Sequence, residues 1–197
     1  MSFYDSVSCA ELHDYAIKAG IGEKIPSDFI QFKKYLKKED RILEIGCGTG
    51  RIGKLLIKDY TYTGIDNHKP YLDFFKNYLQ KNKKNDDLLV YSSFEDYTCP
   101  GEHFDVIIFS WTVIGDFSKN KQLTALKKAK KLLKKGGMVL IDNPAKGTVY
   151  NKKDGYNPCY FYFDDWKTKL ADNFVDLRQI LYCTKSDRSR ELVILKK

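Results

Sequence analysis

A chain of 197 residues, 43% of them hydrophobic, can bury one α/β core but not two, and no run approaches the 18 apolar residues of a membrane span. Its five cysteines (Cys9, Cys47, Cys99, Cys159, Cys183) are odd in number and lack Cys-x-x-Cys spacing, which points away from a disulfide framework or a metal site, and the start shows no secretory pattern, so a reducing cytoplasm is expected. The net charge of +8 rests on lysines along polar helix faces, with only five arginines among 34 basic residues, so a nucleic-acid partner is not the leading expectation.

In chain order, Ser8-Cys9-Ala10-Glu11 has capping-box spacing and predicts a helix over 9–19 closed by Gly20. A second helix follows Pro26-Ser27-Asp28, with Phe29, Phe32, Tyr35 and Leu36 on its apolar side. Residues 1–38 are expected to form a helical cap, or lid, outside a core spanning 39–197. Strand one is read at 41–45, a helix carrying Ile52, Leu55 and Leu56 follows a glycine turn, and strand two is read at 60–65. Pro70 opens a helix with Leu72, Phe75 and Leu79 buried. Continuous apolar runs at 88–91 and 104–109 read as strands covered on both faces, with a helix between them. Ser118 caps a helix ending at Gly136-Gly137, strand five is 138–141, and 164–172 is helical. Two final strand-like runs, 174–183 and 190–195, are joined too closely for a crossover and must form an antiparallel hairpin.

The segment 41–66 carries the chemistry. Gly46, Gly48 and Gly50 permit a tight turn that approaches a ligand closely, and Asp66 lies about 20 residues on, where such folds set an acid against ribose hydroxyls. Gly48-Thr49-Gly50-Arg51-Ile52-Gly53 is also a literal G-x-G-x-x-G, so a nicotinamide dinucleotide and another adenosine-containing cofactor both fit the glycines. Glu44 tips the balance, because a carboxylate beside the turn repels a pyrophosphate and attracts a cation.

Glu44-Ile45-Gly46-Cys47-Gly48-Thr49-Gly50 resembles motif I of the class I S-adenosylmethionine-dependent methyltransferases, and the terminal hairpin is that family's usual ending. The resemblance covers about residues 40–197. It implies an α/β, Rossmann-like sheet of seven strands, parallel except for the antiparallel C-terminal hairpin, with helices on both faces and an N-terminal helical lid. It implies S-adenosylmethionine as cofactor and assigns Glu44, with Gly46, Cys47, Gly48 and Gly50, to the turn and the methionine amine. Asp66 would accept both ribose hydroxyls, with Asn67 beside it. In the loop after strand three, Ser93 stands where an acid is common, so the adenine amino group would be met by Ser93, by Glu95 or by backbone, and Phe94 would pack on the base. Ser110 would touch the methionine part.

The acceptor side is read more thinly. Trp111 would wall the methyl site, and the tyrosine-rich loop 144–163, with Tyr150, would cover the pocket together with Tyr4, His13 and Tyr15. Asn143-Pro144 resembles the Asn-Pro-Pro-Tyr motif of amino-methylating enzymes but follows the wrong strand, and is treated as chance. Methyl transfer to a nitrogen, oxygen or carbon nucleophile of a small molecule is the leading expectation, with nucleic-acid or protein acceptors behind it. No catalytic residue is assigned; should the acceptor be a hydroxyl, His13, Glu11 and Asp142 are the candidate bases. The alternatives are an NAD(P)-dependent oxidoreductase and a non-catalytic S-adenosylmethionine-binding protein. None of the 14 tyrosines has a lysine four positions later, which removes the short-chain dehydrogenase pair.

Overall fold

The computed structural model describes residues 3–18, 24–148, 159–185 and 187–197. After a 3-10 turn at Phe3–Ser6 come α1 (Cys9–Lys18), α2 (Ser27–Lys33), β1 (Arg41–Ile45), α3 (Gly53–Leu56), β2 (Thr61–Asp66), α4 (Lys69–Lys81) and β3 (Leu89–Tyr91). Then follow β4 (Phe104–Phe109), a 3-10 turn at Val113–Asp116, α5 (Lys119–Leu132), β5 (Leu133–Pro144), α6 (Phe163–Ala171), β6 (Asp176–Cys183) and β7 (Ser189–Lys196). The seven strands form one sheet in the order β3-β2-β1-β4-β5-β7-β6. β7 slots between β5 and β6, antiparallel to both, while the other neighbouring pairs are parallel. The chain changes direction of winding between β1 and β4, so the loops leaving those two strands face each other at the carboxyl edge, where such sheets hold ligands.

Alternation along each strand divides the core into two layers. Leu43, Ile107, Phe109 and Val193 face Leu126 and Ala129 of α5 and Trp166 and Leu170 of α6. Ile42, Val106, Ile108 and Ile194 face Phe29 and Phe32 of α2, Leu56 of α3 and Leu72, Phe75 and Leu79 of α4. α2 is therefore a core helix rather than part of a lid, because its Phe29 and Phe32 share a layer with the sheet. α1 lies elsewhere, with Leu12 and Val7 packed on Tyr71. Its capping box forms in both directions: the Glu11 N–H donates to Ser8 Oγ at 3.2 Å and the Ser8 N–H donates to Glu11 Oε2 at 2.8 Å.

Three other expectations change. Residues 92–103 contain no helix; Ser93 Oγ accepts from the Asp96 N–H at 3.1 Å and donates to the Asp96 carboxylate at 2.6 Å, a local turn that competes with helix formation. The helix after the glycine turn is only four residues long. α5 ends at Leu132 and passes directly into β5, whose register with β4 shifts between Phe104 and Val106; Gly136, at φ 77°, lies in that irregular stretch. Among the described residues no helix is long and apolar enough to cross a membrane.

Candidate functional site

The loops after β1, β2, β3 and β4 surround a cavity of about 1020 Å³. The glycine turn after β1 forms its floor. Gly50, at φ 79°, backs directly onto α4: a Cβ there would stand 2.4 Å from the Phe75 ring, so only glycine fits while that ring keeps its place. Gly46, at φ 64°, is closed off in the same way by Val113 at 2.8 Å. The turn is thus wedged between α4 and the loop after β4.

Glu44, near the end of β1, is 1% exposed. Its Oε2 accepts the Tyr62 hydroxyl at 2.6 Å and its Oε1 accepts the Ser110 hydroxyl at 3.2 Å. Burial raises its pKa to about 8, because two neutral donors do not replace the water taken from the charged form. Asp66 closes β2. Its Oδ2 accepts the Gly48 N–H and its Oδ1 the His68 N–H, both at 2.7 Å, which ties the glycine turn to the start of α4. Burial also raises the Asp66 pKa. A carboxylate offers about four lone-pair sites, and with the Asn67 N–H also directed at it, Asp66 keeps acceptor capacity for a further donor.

Of the residues singled out from sequence for the cofactor, Glu44, Gly46, Cys47, Gly48, Asp66 and Asn67 line the cavity. Ser93, Phe94 and Ser110 do so too. Gly50 does not; it sits behind the floor against Phe75. Phe94 reaches the cavity and is also core, edge-on to Phe109 at 5.7 Å. Tyr4, His13, Tyr15 and Trp111 line the cavity as well. Tyr150 and Tyr156 lie outside the described residues.

The N-terminal segment spans the mouth. The Tyr4 hydroxyl donates to Asp116 at 3.0 Å on the β4 side, while the Tyr71 hydroxyl of α4 donates to the Val7 carbonyl at 2.6 Å on the other. Of the three candidate bases, only His13 faces the cavity. Glu11 is held in the α1 capping box, and Asp142 is occupied in a buried cluster. Asp142 Oδ1 accepts Arg190 Nε at 2.8 Å and the Tyr182 hydroxyl at 2.5 Å, and its Oδ2 accepts Arg190 Nη2 at 2.6 Å and the Trp111 N–H at 3.1 Å.

The sequence places Trp111 at the methyl site but does not give its backbone conformation or the pairings of Arg51 around it. Trp111 and Thr112 both adopt left-handed backbone, φ 44° and 67°, a conformation that costs non-glycine residues on the order of 1–3 kcal/mol each. Arg51, next after the glycine turn, grips the buried Asp28 of α2 with two bonds of 2.8 and 2.5 Å, and its guanidinium lies 5.5 Å from the Trp111 ring centre. These pairings join residues 23 and 60 positions apart, so only the folded arrangement reveals them.

Residues 42–137 match a family described as a methyltransferase domain. A comparison with curated proteins gives no match. Among solved structures, a SAM-dependent methyltransferase from Archaeoglobus fulgidus is 17% identical, with a TM-score of 0.67 over 85% of this chain and 90% of that one. A TehB-like SAM-dependent methyltransferase from Corynebacterium glutamicum is 20% identical, with a TM-score of 0.65 over 95% and 97%. Phospholethanolamine N-methyltransferase 2 from Haemonchus contortus, holding phosphomonomethylethanolamine and S-adenosylhomocysteine, is 14% identical, with a TM-score of 0.74 over 100% of this chain and 61% of that one.

Proposed function

We propose that this chain, a class I S-adenosylmethionine-dependent methyltransferase, moves a methyl group to a nitrogen, oxygen or carbon nucleophile on a small molecule. One observation carries the assignment of the site: Glu44, the glycine turn and Asp66 converge on a single cavity at the β1/β4 switch point. The donor set fits the cofactor. Asp66 turns a carboxylate with remaining acceptor capacity toward the cavity for the ribose hydroxyls, and Glu44 offers a buried carboxylate to an ammonium, a poor neighbour for a pyrophosphate. Phe94, with Ser93 beside it, covers the adenine, Asn67 flanks the ribose, and Ser110 faces the methionine end.

S-adenosylmethionine, when bound, supplies a methyl group on a sulfonium whose leaving group is already activated. The chain's own residues then have two tasks, to align the acceptor and to exclude water, and alignment of this kind is worth up to about 7–11 kcal/mol. Trp111, Tyr15 and Tyr4 wall the acceptor side, and a neutral amine there needs no strong base. His13 is the base we assign should the acceptor be a hydroxyl.

Residues 1–197 act as one domain in this reading, with only the Phe3–Ser6 turn and α1 serving as a cap. The aromatic enclosure, and the small phosphorylated amine held by the Haemonchus neighbour, support a small-molecule acceptor over a nucleic acid or a protein. All five cysteines are free thiols, which supports a cytoplasmic location. Calorimetry should show micromolar S-adenosylhomocysteine binding, abolished in Asp66→Ala; no binding at millimolar ligand would overturn the cofactor reading. Labelled methyl transfer to fractionated cell extract, resistant to nuclease and to protease, is the result expected for a small acceptor.

A further inference from the structure

The Asp142 cluster has no role in binding the cofactor, does not line the cavity, and yet reaches it through one backbone bond. All four lone-pair sites of its carboxylate are taken, by Arg190 twice, by Tyr182 and by the Trp111 amide. Asp142 and Arg190 are each 1% exposed, so neither charge has water to fall back on. The Asp142 carbonyl also accepts the Thr112 N–H at 3.0 Å, and Arg190 Nη2 donates to Thr112 Oγ1 at 3.2 Å. Two consecutive residues in left-handed backbone, Trp111 and Thr112, are thus held by one carboxylate and one guanidinium that come from β5 and β7. An arrangement this unfavourable for a tryptophan and a threonine persists only where the surroundings over-determine it.

What the arrangement sets is the direction of the indole. Trp111 stands beside Ser110 and Glu44 on the cavity wall, and its ring meets the Arg51 guanidinium of the opposite loop. Relaxing the turn would turn the ring away from the methyl site, while Asp66 and Phe94, which belong to other segments, keep their places. We infer that Asp142 and Arg190 are positioning residues for methyl transfer, clamping the Trp111–Thr112 turn so that the indole closes the methyl site. This rests on the methyltransferase reading above, in which Trp111 faces the acceptor. It also assigns a task to the terminal hairpin, which supplies Tyr182 and Arg190: it buttresses the site from behind.

Trp111 and Trp166 are the only tryptophans, so a Trp166→Phe background makes Trp111 the sole indole reporter. In that background, Asp142→Asn is expected to raise acrylamide quenching of Trp111 several-fold and to shift its emission. S-adenosylhomocysteine affinity should stay within about threefold, while label transfer at saturating cofactor falls by about a hundredfold, the scale of an ångström's misplacement. Tyr182→Phe, which removes one donor and leaves the ion pair, provides a milder variant should Asp142→Asn not fold, and is expected to move the same readouts part of the way. Unchanged quenching in either folded variant would overturn the clamp. Altered quenching with undiminished transfer would overturn its role in the reaction. Absence of S-adenosylhomocysteine binding in the unsubstituted protein would overturn the methyltransferase reading instead, a result separable from these because the quenching needs no ligand.

Discussion

Glu44 couples the cofactor site to pH. Its pKa of about 8 in the ligand-free fold, against 4.5 for an unperturbed glutamate, means that the folded protein holds a proton there at neutral pH that the unfolded chain does not. The folded state binds more protons, so stability from this group is fully present below pH 4.5 and is lost as pH rises toward 8, by at most about 1.4 kcal/mol per pH unit. A ligand ammonium reverses the preference by favouring the carboxylate. S-adenosylhomocysteine binding should therefore release a proton below pH 8, and its affinity should climb between pH 6 and pH 8, flattening in Glu44→Gln; calorimetry in buffers of different ionisation enthalpy measures both. Glu44 and Asp66 were legible in sequence because their spacing from the glycines is short and local. Tyr62 was not, though its hydroxyl is the nearest partner of Glu44, since that contact depends on β1 and β2 lying side by side in register. In sequence, the charge of Asp142 marks it as a candidate base; its four donors in the fold make it a structural anchor.

At the scale of elements, the strands were read most faithfully. β1 and β4 occupy the expected residues because both are short, largely apolar runs covered on two faces, interrupted in their interiors only by Glu44 and Asp105. The helices were harder. The apolar stripe of α2 is the same whether it covers a pocket or joins a core, and nothing local distinguishes the two. The loop 92–103 carries buried Phe94 and Tyr97 with a single helical-type bond, from the Tyr97 N–H to the Ser93 carbonyl at 3.0 Å, so its hydrophobicity points to a helix that goes no further than one turn. α1 is the element whose stability bears on ligand exchange. Ser8→Ala removes one half of its capping box and should weaken the helix by about 1 kcal/mol, read as roughly fivefold faster amide exchange in α1 with little change in α5. Equal protection in the two proteins would show that packing on Tyr71, rather than the cap, holds α1 down.

The whole molecule turns on β7. Its alternate residues enter both core layers, Val193 and Leu195 on one face and Leu192 and Ile194 on the other, all with at most 1% exposure. Truncating either set should therefore lower the same transition: Ile194→Ala and Leu195→Ala are each expected to cost about 2–5 kcal/mol in urea unfolding, with one midpoint rather than two. Separate transitions would divide the chain into two units. The topology itself was legible because the last two runs stand too close for a crossover, whereas the insertion of β7 between β5 and β6 has no local signature. One contact set behind the floor of the cavity has a further consequence for how such a sequence can drift. Phe75 leaves no room for a side chain at Gly50, and its ring also packs edge-on to Tyr62, at 6.3 Å between centres. The two positions are therefore inherited together: a descendant of this chain that gains a methyl group at 50 must shrink the residue at 75, and the tyrosine that steadies Glu44 would then have to find a new neighbour.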